Sequence, residues 1–352
     1  MSSVTTMKEM FNRAESYNQT LNNWDVSNVS DMDAMFNRAY SFNQDLNSWD
    51  VTNVTNMSTM FEGAADFNGN ISNWNTGNVT QMAVMFWGAS SFNQPIGNWD
   101  ISNVTSIYSM FMGATIFNQP IGNWDISSVN SLHAMFYEAT SFNQPIGNWD
   151  TSNVVGMNDM FTNASSFDQT LADWNISSII NMANIFDNSG LSTENYDNIL
   201  ISWSQQSLNG GVPFGAVGIY YCNAEDERQS MIDNNSWNII DEGENPLCDT
   251  DQDDPPVITS EGEGIYCPQT QQNIVTNFNI EDPDSTTLDA LYIQISEGYV
   301  PGEDQLIYNG SDPNLNISWN VADGKLEISS LTGNDIPIAD IITAVYEVVF
   351  FF

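Results

Sequence analysis

An acidic side chain recurs at one position of a 25-residue pattern, and the position is held by Asp25, Asp50, Asp100, Asp125 and Asp150, with Asn75 and Asn175 in two further repeats. If successive repeats stack as parallel strands, neighbouring carboxylates lie about 4.8 Å apart and repel by about 1 kcal/mol even in water. Bound cations, hydrogen bonds from the flanking Asn and Ser, hydration or raised pKa values of the carboxylates must offset that repulsion. The column therefore predicts either a polar surface that binds calcium, a glycan or a basic protein, or a set of side chains that brace the turn after each strand.

Asparagine flanks the same position. In the string Asn-Trp-Asp, strand alternation turns the tryptophan inward and its two neighbours outward. The predicted binding surface therefore includes Asn98, Asn123 and Asn148 beside the aspartates.

Catalysis by this column is not expected. Retaining glycosidases use two carboxylates about 5 Å apart, but they need different surroundings to separate the acid from the nucleophile, and equivalent repeats give equal surroundings. His133 is the single histidine, and the three cysteines lack Cys-x-x-Cys spacing. Neither a catalytic triad nor a zinc site is indicated. The sequence predicts a protein that is not an enzyme.

The repeat itself must position the column. The nonapeptide FNQPIGNWD occurs unchanged at 92–100, 117–125 and 142–150, and Met-Phe pairs and tryptophans recur at the same constant step. A fixed period of this length is typical of a solenoid, in which each repeat buries its apolar side against its neighbours.

Each repeat is predicted to contain a short parallel strand and a short helix. Trp99 and Ile101 alternate with polar residues, which favours a strand. Apolar residues at steps of three and four favour one face of a helix, as at Val54, Met57, Met60, Phe61, Ala64 and Phe67. Asn-Gln-Pro suits the turn back to the next strand. The predicted fold of residues 1–190 is therefore an α/β leucine-rich-repeat-like solenoid.

Charge limits the partners. The chain carries 45 acidic and 5 basic residues, a formal net charge of −40. Phosphate would be repelled, so nucleic acid is not an expected partner, and anionic membranes are disfavoured. Cations, neutral glycans and basic proteins remain, and the alternative is that the charge only confers solubility in salty surroundings.

Neither an apolar run that spans a bilayer nor a signal-peptide core is present in the sequence. Membrane insertion is not expected. The chain starts midway through a repeat, so we expect its export signal to lie in a longer precursor.

The strings WDVSNVSDMDAMF, WDVTNVTNMSTMF and WDISNVTSIYSMF resemble the BspA-type leucine-rich-repeat surface proteins of bacteria, over roughly residues 4–190. The resemblance implies a secreted or cell-surface protein, commonly an adhesin, with no catalytic residues to transfer.

Residues 191–248 are predicted to cap the solenoid. The string LSTENYDNILISW predicts a helix begun by Ser192 or Thr193, with its apolar side formed by Tyr196, Ile199, Leu200 and Trp203. AVGIYYC predicts a strand and NAEDERQSMIDNN a helix capped by Asn223.

The same segment resembles the C-terminal end of BspA-type arrays, which often carry a cysteine at each of two places. The resemblance implies a Cys222–Cys248 disulfide in an oxidising compartment, with two buried thiols as the alternative. The partner of Cys267 stays open.

Residues 249–256 predict an acidic linker, and residues 257–352 an all-β domain. Ile317, Trp319 and Val321 alternate before an Asp-Gly turn, and the domain resembles the cadherin-like or immunoglobulin-like modules of bacterial adhesins, which implies a β-sandwich. Candidate calcium ligands are Glu281, Asp282, Asp284, Glu303 and Asp304, with a solvated loop as the alternative. No other cofactor is expected.

Together these features predict a non-enzymatic adhesin-type module that binds a protein or glycan through the polar solenoid face, outside the cell or on a bacterial surface. The alternative is a structural subunit of an extracellular filament or surface layer, whose copies join end to end through their uncapped chain ends.

Overall fold

The computed structural model describes residues 3–246 and 248, and then 257–261, 271–273, 277–281, 287–288, 290–294, 305–308, 314–322, 325–330, 336–337 and 348–351. The chain divides into two compact units, Met1–Asn245 and Pro246–Phe352. Each is described by itself.

Main-chain hydrogen bonds join each repeat to the next in residues 3–190, which we call the repeats. Met32, Ala34 and Phe36 donate their N–H groups to the carbonyls of Asn56, Ser58 and Met60, at 2.8–3.0 Å. Each donor thus pairs with an acceptor in the following repeat, and the pattern recurs along the repeats. Parallel bridges lie beside it, as at Asp31–Asn56 and Asn56–Gln81. Consecutive repeats are therefore stacked in parallel register.

Turns take the place of the predicted helix within these repeats. Met35, Asn37 and Ala39 donate to carbonyls three residues back, at 3.0–3.2 Å, and the N–H groups of Phe36 and Arg38 between them donate to the next repeat. Ala34 and Arg38 have φ of 54° and 55°, in the left-handed region, and equivalent residues of other repeats share it. A right-handed helix cannot pass through such residues. The apolar spacing of three and four arises from successive turns.

Parallel pairing also lies elsewhere than predicted. Trp99 and Ile101 lie outside the strands and bridges of the structure, whereas single bridges form at the column of Asp31, Asn56 and Gln81. The secondary structure within a repeat thus differs from the prediction, and the leucine-rich-repeat-like solenoid class stays a prediction.

Stacked aromatic rings fill the interior of the repeats, as the Met and aromatic columns predict. Phe86 and Phe111 stack at a centroid distance of 5.7 Å, and Phe111 stacks on Phe136 at 5.8 Å. Within one repeat Phe111 lies 4.0 Å from Phe117. All four rings are fully buried. Trp99 is also buried and donates its indole N–H to the carbonyl of Ile71 at 3.3 Å. The same interaction recurs at the equivalent tryptophans of the other repeats, Trp49, Trp74, Trp124, Trp149 and Trp174.

Residues 191–245, here the terminal segment, contain ordinary helices and strands. They are α1 (Thr193–Ser204), β1 (Pro213–Ala216), α2 (Glu225–Asn235) and β2 (Asn238–Asp241), with β1 and β2 parallel. The prediction of α1 is confirmed, including its Ser192 N-cap and its buried residues. The predicted cap of α2 is off by one residue, since Ala224 is the N-cap. The predicted strand at 216–222 is wrong apart from its first residue, because β1 ends at Ala216 and turns follow it.

The terminal segment continues the main-chain ladder of the last repeat. Met182 donates to Pro213 at 2.9 Å and Phe186 donates to Gly215 at 3.0 Å, so β1 occupies the place of a further repeat. These are the contacts that a cap makes. The predicted boundaries at 190 and 248 stay predictions.

The second unit is described as ten strands: β3 (Val257–Glu261), β4 (Gln271–Asn273), β5 (Asn277–Glu281), β6 (Thr287–Leu288), β7 (Ala290–Gln294), β8 (Gln305–Tyr308), β9 (Leu315–Asn320), β10 (Lys325–Ser330), β11 (Ile336–Pro337) and β12 (Val348–Phe351). The pairs are antiparallel, in sheets ordered β7–β10–β9, β4–β12–β8, β3–β5 and β11–β6. The predicted strand that contains Ile317 and Trp319 is confirmed as β9, where Ile317 pairs with Ile328 and Trp319 with Leu326 of β10, whereas Val321 lies just beyond its end. The sandwich itself stays a prediction.

Candidate functional site

The aspartate column braces the turn that follows it. Each aspartate accepts a hydrogen bond on Oδ1 from the main-chain N–H two residues on, at 3.0–3.2 Å, in Asp25, Asp50, Asp100, Asp125 and Asp150. This is the Asx turn, in which the side chain mimics one turn of backbone. The bracing alternative is therefore realised in the geometry.

Serine hydroxyls reinforce the brace. Ser27 and Ser102 donate Oγ–H to Asp25 and Asp100 at 2.6 and 2.7 Å. The serine hydroxyl and then the main-chain N–H lower the pKa of Asp25, Asp100 and Asp150 below the ordinary value, because both donors favour the charged carboxylate.

Bracing does not need the negative charge. Asn75 and Asn175 accept the same main-chain bond on Oδ1, at 3.3 and 3.0 Å, with a neutral amide. All five aspartates are exposed, as are Asn98, Asn123 and Asn148. The hydrogen bond of the brace thus also forms with a neutral amide, and binding at these eight residues stays a prediction.

Two further polar ladders run through the repeats. Asn53 donates Nδ2–H to the carbonyl of Ser27 at 2.7 Å, and Asn103 does the same to Gly77 at 2.8 Å. In the Phe-Asn-Gln string, Asn118 Oδ1 accepts from the N–H of Asn143 at 3.0 Å and from Gln144 Nε2 at 2.9 Å. From sequence this string predicts only a turn, because a bond to a residue of the next repeat leaves no local signal.

A second exposed surface carries large side chains that differ between repeats. It consists of Trp87, Tyr108, Met112, His133 and Tyr137, and we call it the aromatic face. Trp87 and Tyr108 are 41% and 44% exposed, and the other three are half-buried.

The ladder fixes the register of the aromatic face. Gly88, which follows Trp87, donates its N–H to the carbonyl of Met112 at 2.7 Å, and Gly113 donates to Tyr137 at 2.7 Å. Trp87, Met112 and Tyr137 therefore occupy one column in three consecutive repeats. Tyr108 and His133 occupy a second column four residues earlier in their repeats.

Both columns hold unrelated residues elsewhere. The first contains Asn37 and Glu62, and the second contains Asp33 and Ser58. The signal for this surface is the variation itself, which is visible when the repeats are aligned position by position, whereas the constant positions carry the repeat pattern.

The predicted calcium site lies largely outside the described residues. Only Glu281 is placed, at the end of β5, without its side chain, and Asp282, Asp284, Glu303 and Asp304 fall in undescribed stretches. Within the described part of the chain, no group of three His, Cys, Asp or Glu side chains could hold a metal ion.

Cys222 and Cys248 are both disulfide-bonded. Neither α1 nor α2 is long and apolar enough to cross a lipid bilayer, and the described residues contain no other α-helix.

A known protein family matches the part of the chain that contains the repeats. Residues 1–97 and 85–203 match a family described as a Mycoplasma protein of unknown function, DUF285. The chain belongs to the DUF285 family. This family is related to BspA-like repeat proteins. The DUF285 match covers the repeats and α1, while the curated proteins and the solved structures contain no match to the chain.

Proposed function

We propose that the DUF285 repeats form a non-enzymatic recognition module of a secreted or cell-surface protein, an adhesin of the BspA type, with a leucine-rich-repeat-like solenoid and a cadherin-like or immunoglobulin-like stalk. Its partner is a protein or glycan outside the cell. One observation carries the proposal: the constant polar positions of the repeat are used to stack it, while exposed positions carry a different large side chain from repeat to repeat.

Constant and variable positions of the repeat have different roles. Trp99 bonds to Ile71, Asn103 bonds to Gly77, and Asp100 braces its own turn, so the constant string serves the fold. Trp87, Met112 and Tyr137 lie in the column that Asn37 and Glu62 occupy in earlier repeats, so the stack does not require a large apolar side chain there. Exposed aromatic residues are costly in water and enriched at recognition surfaces, which supports binding as their purpose.

The test is binding of the full chain to arrays of extracellular proteins and of glycans. A variant with Trp87, Tyr108 and Tyr137 each replaced by serine removes the aromatic face, and Tyr40→Ser serves as the matched control because Tyr40 is 43% exposed outside that face. We expect partners that bind the wild type and Tyr40→Ser and are lost by the triple variant. Arrays without a partner, or partners that the triple variant retains, would contradict the proposal.

A further inference from the structure

We infer that the aromatic face binds a basic polypeptide segment, whose lysine and arginine side chains lie against the rings of Trp87, Tyr108 and Tyr137. The inference rests on the proposed function and specifies the chemistry of the partner. Three observations support it: the exposure of the rings, the negative charge around them, and the flexible side chain of Met112 between Trp87 and Tyr137.

The first step concerns access to the rings. Trp87 and Tyr108 expose more than two fifths of their surface, and Gly88 and Gly113 follow Trp87 and Met112 in the chain. A Cβ built on Gly88 would meet only main-chain atoms of Gly63, at 3.6 and 3.8 Å. Apart from its chain neighbours, Gly88 thus has no side chain within 4 Å of that position, and the exposed ring of Trp87 next to it leaves room for a partner to approach the column.

The second step concerns charge. Between Arg38 and Arg228 the sequence contains no lysine or arginine, so the repeats that carry the aromatic face supply no cation of that kind. The acidic groups near the face are Glu138, next to Tyr137, and Asp159, whose Oδ2 lies 3.7 Å from Nδ1 of His133. Glu62, in the column of Trp87, already pairs with Arg38 at 3.8 Å. An aromatic ring in an anionic setting favours a cation on its face. The net charge of −40 also attracts a basic segment from a distance.

The chain shows the same pairing where it has a cation available. The guanidinium carbon of Arg228 lies 5.4 Å from the ring centroid of Tyr221, in the terminal segment. Arg228 is held there by Asp241, with Nε and Nη2 donating to the two carboxylate oxygens at 2.7 and 2.8 Å. A ring and a carboxylate together thus form a cation site in this protein.

The third step separates a basic peptide from a neutral glycan. A neutral glycan carries no charge, so the net negative charge of the chain does not attract it. Met112 lies between Trp87 and Tyr137 in the column, and a methionine adapts its shape to varied apolar stems such as those of lysine and arginine. Charge complementarity therefore selects the basic polypeptide.

The probe for the test is a fluorescent peptide of alternating lysine and glycine, and its control is the same peptide with every lysine acetylated. The full chain is titrated at low and at physiological salt. The variant Trp87→Leu/Tyr137→Leu keeps the net charge and much of the apolar surface but removes two rings. We expect it to weaken binding about 5- to 30-fold, with an unchanged salt dependence, while Tyr40→Leu stays within about twofold of the wild type. The acetylated peptide should not bind.

Equal affinities of wild type and double variant would overturn the inference, because general attraction to the acidic chain would then explain all binding. Melting curves of each variant exclude a folding defect as the cause of a loss. Cellohexaose and mannohexaose serve as neutral probes. Binding of either that depends on the rings, with no ring-dependent peptide binding, would overturn the basic partner and leave the recognition module intact. If no probe depends on the rings, and the arrays of proteins and glycans also yield no partner, both proposals fail.

Discussion

The repeats and the terminal segment satisfy the same kinds of polar group with different residues. In the repeats, Asn118 accepts from Asn143, which in turn accepts from Asp168, so one amide serves each layer. The terminal segment ends that ladder with residues that occur once: Asp168 Oδ1 accepts from the N–H and the hydroxyl of Ser192 and from Nδ2 of Asn195.

The contrast extends to charge. Ion pairs of the repeats lie at the surface, as in Arg38–Glu62 at 3.8 Å, whereas Arg228 binds an Asp241 side chain that is only 1% exposed. Tyr196 also donates its hydroxyl to Asp241, at 2.8 Å. In the repeats, neutral amides of neighbouring layers hydrogen-bond to one another. The last repeat has no equivalent repeat after it, so the terminal segment must satisfy its polar groups with residues that occur only once.

The largest effect is expected in the interior of the repeats. Phe111→Ala removes a fully buried ring that stacks on Phe86, Phe117 and Phe136, and it should lower the free energy of unfolding by about 3–5 kcal/mol. Chemical denaturation measures the loss. Ile116→Ala is the control, since Ile116 is exposed in the same repeat, and it should change the value by less than about 0.5 kcal/mol. Equal losses from both would mean that the stacked rings do not dominate.

Breaking the buried ion pair tests the terminal segment. Arg228→Met leaves the carboxylate of Asp241 buried without its cation and should cost about 3 kcal/mol. Arg38→Met breaks an exposed pair of the repeats and should cost about 0.5 kcal/mol or less. The difference between the two variants in thermal or chemical unfolding measures the contrast directly. A similar cost in both regions would refute it.

The predictable part of this fold is what repeats within the chain. The constant step of the repeat, the buried Trp99 between exposed Asn98 and Asp100, and α1 could all be predicted from the spacing of apolar residues. The helix within the repeat could not be excluded, because the left-handed positions hold Ala34, Thr59 and Val84, none of which signals a positive φ. Their conformation is imposed by bonds to the neighbouring repeats.

The candidate site was harder to predict than the fold. Exposed aspartates drew attention because their charge is unusual, and the structure uses their Oδ1 atoms for bracing. The aromatic face has no motif of its own. Its members stand out only in an alignment of the repeats, where Trp87 and Tyr137 share a position with Glu62 and that position is therefore not constrained by the stack.

Removing one rung of the asparagine ladder tests its share of the stability. Asn118→Ala leaves the N–H of Asn143 and Nε2 of Gln144 without their acceptor and should cost about 1–2 kcal/mol. Asn123→Ala is the matched control in the same repeat, since Asn123 is exposed in the predicted binding column, and should cost about 0.5 kcal/mol or less. Denaturant midpoints compare the two. A neutral Asn118→Ala would show that water replaces the amide.

The smallest effect concerns the aspartate brace. Asp100→Asn retains the Oδ1 acceptor, so the unfolding free energy at neutral pH should change by less than about 0.5 kcal/mol. The folded-state pKa of Asp100 is lowered, so its charge-dependent stabilisation is complete above the unfolded pKa of about 3.9 and is lost as pH falls through the folded pKa. The variant should therefore lose less stability than the wild type below about pH 4. Acid titrations of the melting temperature that coincide would contradict this assignment.

Near-identity of the repeats has a consequence for how the chain reaches its register. The string FNQPIGNWD offers the same bonds in three places, so a growing stack that skips one repeat still finds a chemically equivalent partner and leaves the skipped repeat as a loop. Closing such a loop costs little entropy. The misregistered stack buries one layer less than the native stack, and that difference in burial is what favours its correction. Unique contacts such as Ser192 and Asn195 on Asp168 have no second position to occupy. They fix the register of the last repeat. We therefore expect refolding to be slowed by repeats that pair out of register rather than by any single contact.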